Sequence, residues 1–213
     1  MSELNRRILS SLILIAVALF SLYNHYILTF ILLILFTEIY NEIFLILRRI
    51  IKRKIQLYFS LLFSLFYLSV LIILTWLIFT DNLLQFKFYF LAIVLICLTS
   101  DIGGYIFGKI IGGKKLTKIS PNKTYSGSVG SYILSIIFTF LIFNKYFSSE
   151  FIILCSIIIS TISQIGDLMI SILKRKAKIK DTGNLIPGHG GLLDRFDGLI
   201  FAIPLGLIIL NFL

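Results

Sequence analysis

Apolar residues run through this chain in blocks of about twenty, each closed by a short polar interval. That rhythm predicts seven helices, at roughly 7–23, 26–47, 55–79, 86–111, 128–147, 149–173 and 198–213. Blocks of this length span the ~30 Å hydrocarbon layer of a bilayer as helices. The first block, behind Arg6 and Arg7, superficially suits a signal peptide. No small-x-small cleavage pattern follows it and further spans come at once, so it reads as a retained first helix. The expected fold is an all-α, polytopic integral membrane protein. Three spans form an N-terminal region, 1–85. The rest, 86–213, carries two polar loops, 112–127 and 174–197.

Charge turns this ladder into a topology. When the spans are threaded alternately, the N-terminus and the loops after helices two, four and six fall on one side. All the lysines and arginines lie there except Lys87 and Lys145. The excess of basic residues in cytoplasmic loops then places the N-terminus in the cytoplasm and the C-terminus outside. The expected location is the inner cell membrane, with several passes. A net charge of +10 could suggest nucleic acid, but its confinement to loops at one membrane edge argues against that partner. The run Arg48, Arg49, Lys52, Arg53, Lys54 reads as topology and attraction to anionic lipid. With 58% hydrophobic and 14% charged residues and a mean hydropathy of +1.01, an ordinary soluble fold is excluded. Cys97 and Cys155 both fall within apolar spans and read as packing residues.

Polar residues inside the spans matter because a charge there costs about 2.5–3.5 kcal/mol on insertion scales. In helix six, Gln164, Asp167, Ser171 and Lys174 recur at spacings of three, four and three, which stacks them on one face, with Ser160 and Ser163 deeper. Hydrogen bonding to neighbouring helices is one reading. A stripe leading straight into a polar loop is better explained as the wall of a water-filled site. Helix four ends with Asp101, Gly104, Tyr105 and Gly108 sharing a face, so a close-packed helix would lie beside the Asp101 carboxylate. Asp101 is read as substrate-binding, against a structural role. Glu38, Asn41 and Glu42 share a face of helix two. There the structural reading, pairing with basic groups inside the bundle, is favoured over lining the site.

The two loops carry the densest chemistry. GGKKLTKISPNKTYSGSVG offers Ser120, Lys123 and Thr124 as donors to an anion, close to the amides that open helix five. It is not a Walker pattern, and alone it points only weakly to phosphate. The segment from Ser171 to Asp197 is more specific. Asp194 and Asp197 lie at i and i+3, a hard-oxygen pair suited to Mg²⁺, and Arg195 between them would face another direction with a fork suited to phosphate. Gly190 and Gly191 follow Pro187, Gly188 and His189 in a permissive turn. His189 is a donor or acid/base candidate, against a purely structural histidine. Cations, acids and a lipid interface together imply phosphoryl or nucleotidyl transfer to a lipid, with the active site at the cytoplasmic membrane edge.

The run S-I-L-K-R, four residues, then K-D-T-G-N-L-I-P-G-H-G-G-L-L-D-R-F-D resembles the signature of the phosphatidate cytidylyltransferase (CDP-diacylglycerol synthase) family from Ser171 through Asp197. Q-I-G-D at Gln164–Asp167, D-I-G-G-Y-I-F-G from Asp101 and S-P-N-K-T ending at Thr124 are also similar. The resemblance covers about residues 97–204. Two departures stand out: Ser126 where the family usually has an acid, and Gly198 where it commonly has serine. The resemblance implies that CTP and phosphatidate give CDP-diacylglycerol and pyrophosphate, with Mg²⁺ required and a second cation left open.

On that reading Asp167, Asp194 and Asp197 are the metal ligands. Lys123, Lys174, Arg175, Lys180 and Arg195 neutralise phosphates, Asp181 orients Lys180 and His189 steadies developing charge. Gln164, Ser171, Gly190 and Gly191 complete the substrate-binding set. The partners expected are CTP, phosphatidate and membrane lipids, and the resemblance also suggests a homodimer. The rival reading is a CTP-dependent polyprenol or phytol kinase. CDP-alcohol phosphotransferases need a D-G-x-x-A-R motif that this sequence lacks, and a transporter would place its polar groups near the midplane in repeated halves.

Overall fold

The structure is a computed structural model describing residues 24–80, 84–117, 120, 123–183 and 190–212. Among them are six helices: α1 (His25–Ile50), α2 (Lys54–Thr80), α3 (Leu84–Ile110), α4 (Tyr125–Phe143), α5 (Ser149–Lys176) and α6 (Leu193–Phe212). No strand occurs among the described residues; one isolated bridge pairs Lys115 with Thr124. Helices α1 to α5 are each long and apolar enough to cross a membrane. Exposed Phe59, Phe63 and Phe66 on α2 suit a helix whose solvent is lipid. The molecule is an all-helical, multi-pass membrane protein. The expected span at 7–23 lies outside the described residues.

The chain divides into two compact units. One holds the N-terminal helices together with residues 173–196, and the other holds residues 84–172 and 197–213. In the first unit, α1 ends in Arg48 and Arg49 and is capped at its start by Asn24, whose side chain accepts from the Tyr26 and Ile27 amides. Leu28, Leu32, Ile39, Glu42 and Ile46 form its buried face. Trp76 of α2 donates to Thr29 of α1 at 2.9 Å.

In the second unit, α3 buries Tyr89, Ala92, Ile93, Ile96, Cys97, Ser100 and Gly103, the three–four spacing of a single helical stripe. Gly103 backs directly onto the Gly130 carbonyl of α4, leaving no room for a Cβ, and a Cβ on Gly127 would come within 2.8 Å of the Gly104 carbonyl. The small residues at 103–108 therefore seat α4. Ser131 of α4 donates to the Ser100 carbonyl at 2.7 Å, supplying the polar glue usual between membrane helices. A small aromatic cluster, Phe88, Phe143 and Phe147 around Ala92 and Ile152, closes the other end. Cys97 and Cys155 are buried free thiols.

The helix limits differ from the sequence expectation by up to five residues, most at α4 and α6. Helix α4 runs 125–143 rather than 128–147, because Thr124 caps it at one end, accepting from the Gly127 amide, and Asn144 ends it at the other. Helix α6 begins at Leu193 rather than 198. Its opening amides find acceptors that no local pattern reveals, as shown below.

Candidate functional site

The segment after α5 is shaped first by how that helix ends. The Lys178 amide donates to the Arg175 carbonyl and the Ile179 amide to the Lys174 carbonyl. This is the paired closure of a Schellman motif, with Lys178 in the left-handed region at φ 57°. The turn leaves Arg175, Lys176, Lys178 and Lys180 exposed, along with Asp181. Lys174, one turn inside the helix, is different. Its ammonium donates to Asp194 Oδ1 at 2.6 Å, with the two side chains only 16% and 9% exposed.

Asp194 is enclosed by donors. Its Oδ2 accepts from the Thr182 amide at 2.8 Å, the Gly191 amide at 3.2 Å and lies 3.0 Å from the Thr182 hydroxyl. Burial pushes the Asp194 carboxyl up, but the bonds from Lys174, Thr182 and Gly191 outweigh it and hold the group below its ordinary value. Gly190, at φ +83°, has the backbone this turn needs and a side-chain-bearing residue there would be strained. His189 lies outside the described residues.

Glu42, in α1, belongs to the same unit and is 5% exposed. Its carboxylate accepts from the Leu192 amide at 2.9 Å, the Leu193 amide at 2.8 Å and the Thr182 hydroxyl at 2.6 Å. The basic partners expected for Glu42 are replaced, among the described residues, by two backbone amides and a hydroxyl.

In the second unit the polar stripe of α5 forms as spaced. Ser128 of α4 donates to Gln164 Oε1 at 2.6 Å, Gln164 donates to Ser160 at 3.2 Å, and Ser160 shares a 2.8 Å bond with Ser100. Ser171 donates to Asp167 at 3.3 Å. Asp167 also takes an ion pair from Lys123, which joins the end of the 112–124 loop to α5. That loop is held by bonds from Leu116 N–H to the Lys123 carbonyl and from Tyr125 N–H to the Lys114 carbonyl. The Ser120 amide donates to the Thr117 hydroxyl at 3.1 Å. Ser126, where the resembled family usually has an acid, donates instead to the Gly112 carbonyl and ties the loop's ends together.

Asp197 sits in the polar opening turns of α6, ahead of its apolar stretch. Burial raises its carboxyl above the ordinary value first, and the negative charge of Asp167 raises it further, with a smaller push from Asp101. Gly198 packs against Ser163 of α5 so closely that a Cβ would overlap the Ser163 hydroxyl. A serine at 198 would need Ser163 to move, which accounts for glycine at this departure. Among the described residues no set of three or more His, Cys, Asp or Glu side chains is grouped to hold a metal ion. The grouping present is the interacting pair Asp167 and Asp197, with Asp101 contributing.

Long apolar helices with acids paired to lysines at Lys123–Asp167 and Lys174–Asp194 define an integral membrane protein with polar groups set into its helices. Over residues 2–213 the chain matches the model of the cytidylyltransferase family. It belongs to that family. A phosphatidate cytidylyltransferase of Rickettsia bellii is 47% identical over 117 residues, covering 49% of this chain and 50% of the relative. One from Staphylococcus saprophyticus is 44% identical over 121 residues, covering 55% and 46%, and one from Staphylococcus aureus is 43% identical over the same length. The chain spans about half the length of the curated relatives it matches.

Spacing alone marked Asp167, Gln164, Ser171, Lys174 and both aspartates of α6. It missed Thr182 and Ser128 as partners, and it favoured a structural Glu42 over one lining the site. The available signal for Glu42 was an acid sharing a face with Glu38 and Asn41 inside an apolar span.

Proposed function

We propose that this chain transfers the cytidylyl group of CTP to phosphatidate, giving CDP-diacylglycerol and pyrophosphate. A phosphate oxygen of phosphatidate attacks the α-phosphorus of CTP. The bond from that phosphorus to the α–β bridging oxygen breaks, and pyrophosphate leaves with the bonding pair. A phosphate monoester is already nucleophilic at neutral pH, so the protein's work is positioning and charge neutralisation. The observation that carries the reading is the meeting of Asp167 and Asp197, two carboxylates whose mutual repulsion and burial an added cation would relieve.

The donor set fits Mg²⁺, which usually takes one or two carboxylates and completes its shell with water and phosphate oxygens. Asp167 and Asp197 would hold it; Asp194, the third ligand expected from the sequence, is instead met by Lys174 and the Thr182 and Gly191 amides. Bound there, Mg²⁺ would neutralise phosphate charge. Lys123, paired with Asp167, and the exposed Arg175 and Lys180 supply further positive charge for the triphosphate and lipid phosphate. Arg195 offers a fork suited to phosphate. The distribution of basic loops supports placing this chemistry at the cytoplasmic edge of the cell membrane, with the lipid tails remaining in the bilayer.

The test is a product analysis. The purified full chain, given CTP, phosphatidate and Mg²⁺ in mixed micelles, should release pyrophosphate and form CDP-diacylglycerol in equal amounts. Release of CDP with a polyprenol or phytol acceptor instead would establish the lipid-kinase alternative and end this reading.

A further inference from the structure

We propose that Glu42 is a positioning residue for this site: from α1 its carboxylate fixes the turn at 190–193 and thereby aims Asp194. The inference rests on the nucleotidyl-transfer reading for its catalytic consequence, although the anchor itself can be judged without substrate.

Glu42 is the one acid among the buried residues of α1, and burying an ionised carboxylate is unfavourable unless donors meet it. Three do. Two are the Leu192 and Leu193 amides, part of the set that any helix leaves unsatisfied at its start. A carboxylate at that end is also favoured by the helix dipole. Glu42 thus caps α6 from a helix some 150 residues earlier in the chain. The space around it is shaped for a carboxylate. A Cβ on Gly191 would lie 2.5 Å from both Glu42 oxygens, and one on Gly183 would lie 2.6 Å from Oε1. The glycines at 183 and 191 of the signature segment therefore make room for a side chain outside it.

Thr182 links Glu42 to Asp194. Its hydroxyl has a single proton, and it lies 2.6 Å from Glu42 Oε2 and 3.0 Å from Asp194 Oδ2. The shorter contact gives the proton to Glu42. Asp194 is then left to accept from the backbone amides of Thr182 and Gly191 and from Lys174. Removing the Glu42 carboxylate would release Thr182 toward Asp194 and loosen two amides at once. The direction of the Asp194 carboxylate is set by that competition.

The experiment compares the full chain with Glu42→Gln, Glu42→Asp and Thr182→Val, reading amide hydrogen exchange and steady-state kinetics. Glutamine retains the size but presents an NH₂ to amide donors. In Glu42→Gln, exchange at 190–193 should quicken at least 10-fold while peptides from α3 and α4 keep their wild-type rates. Its kcat should fall 10- to 100-fold with KM for CTP within threefold. Glu42→Asp, which keeps the charge, should recover part of kcat, a pattern that mere loss of folded protein would not give. Thr182→Val removes one donor only and should lower kcat three- to tenfold with an unchanged melting temperature, so it carries the test if the Glu42 variants fail to fold.

Wild-type exchange at 190–193 in Glu42→Gln, or a kcat within twofold of wild type, overturns the inference. A lowered melting temperature with unaltered kcat also overturns it, since the role would then be structural alone. If the unaltered chain releases no pyrophosphate, it is the functional reading that fails. The exchange result still decides whether Glu42 anchors the turn.

Discussion

Asp194 and Asp197 stand three residues apart on one helix, yet the first is surrounded by donors and the second by acids. Around Asp194 the protein supplies an ammonium and two backbone amides. Around Asp197 it supplies burial, the Asp167 carboxylate and a smaller push from the charge of Asp101. A carboxylate of the first kind stabilises the native turn. One of the second kind is a reservoir of repulsion that a cation from solution would discharge. Two aspartates that look alike in D-R-F-D therefore sit in opposite electrostatic surroundings, the first among donors and the second beside another acid.

This contrast can be broken most directly by neutralising each acid in turn. Asp197→Asn should cut turnover by roughly 10²–10³-fold, the scale of losing a main electrostatic contact to the transition state. It should leave the melting temperature in detergent unchanged or raised, because a buried repulsion is removed. Asp194→Asn should lower activity too, but with a loss of stability of about 3 kcal/mol, since Lys174 would be left without its partner. Equal melting temperatures for the two variants would dissolve the distinction.

A pH titration of stability, without Mg²⁺, sharpens it further. Asp194 is held below its ordinary value, so its contribution is present above that value and is lost as pH falls through the lowered one. Asp197 is raised, so its proton-linked stability is present below the ordinary carboxylate range and is lost as pH rises toward about 8. Thermal melts of the wild type should therefore decline across that upper window, and the decline should vanish in Asp197→Asn. A slope that persists in the variant would assign it to another group.

Smaller effects should follow at the edges. Lys123→Ala removes the cation paired with Asp167 and should lower kcat/KM for CTP by about tenfold, in line with one charge-assisted contact. Lys178→Gly, at the left-handed close of α5, should stabilise the fold by no more than about 1 kcal/mol, read as a small rise in melting temperature with unaltered kinetics.

How far these features were legible depends on the range of the interactions that make them. The apolar blocks marked α1 to α5 because a membrane span is a local property of twenty residues. The stripe Gln164, Asp167, Ser171 was visible because helical spacing fixes a face. The start of α6 at Leu193 was not, since its amides are satisfied by Glu42, whose sequence position carries no mark of that contact. Likewise, nothing in S-P-N-K-T announces that Lys123 reaches Asp167, although both residues stood out separately. Gly198 and Ser126, the two departures from the resembled family, became intelligible only beside Ser163 and Gly112.

The backbone contact between α3 and α4 has a mechanical corollary. Where Gly103 abuts Gly130 there is no cushion of side chains to shear, so the two rods are coupled like planks glued along a seam. A bilayer thinner or thicker than their apolar length must be met by tilting both together. Lys123, just ahead of α4, is then obliged to ride with the pair.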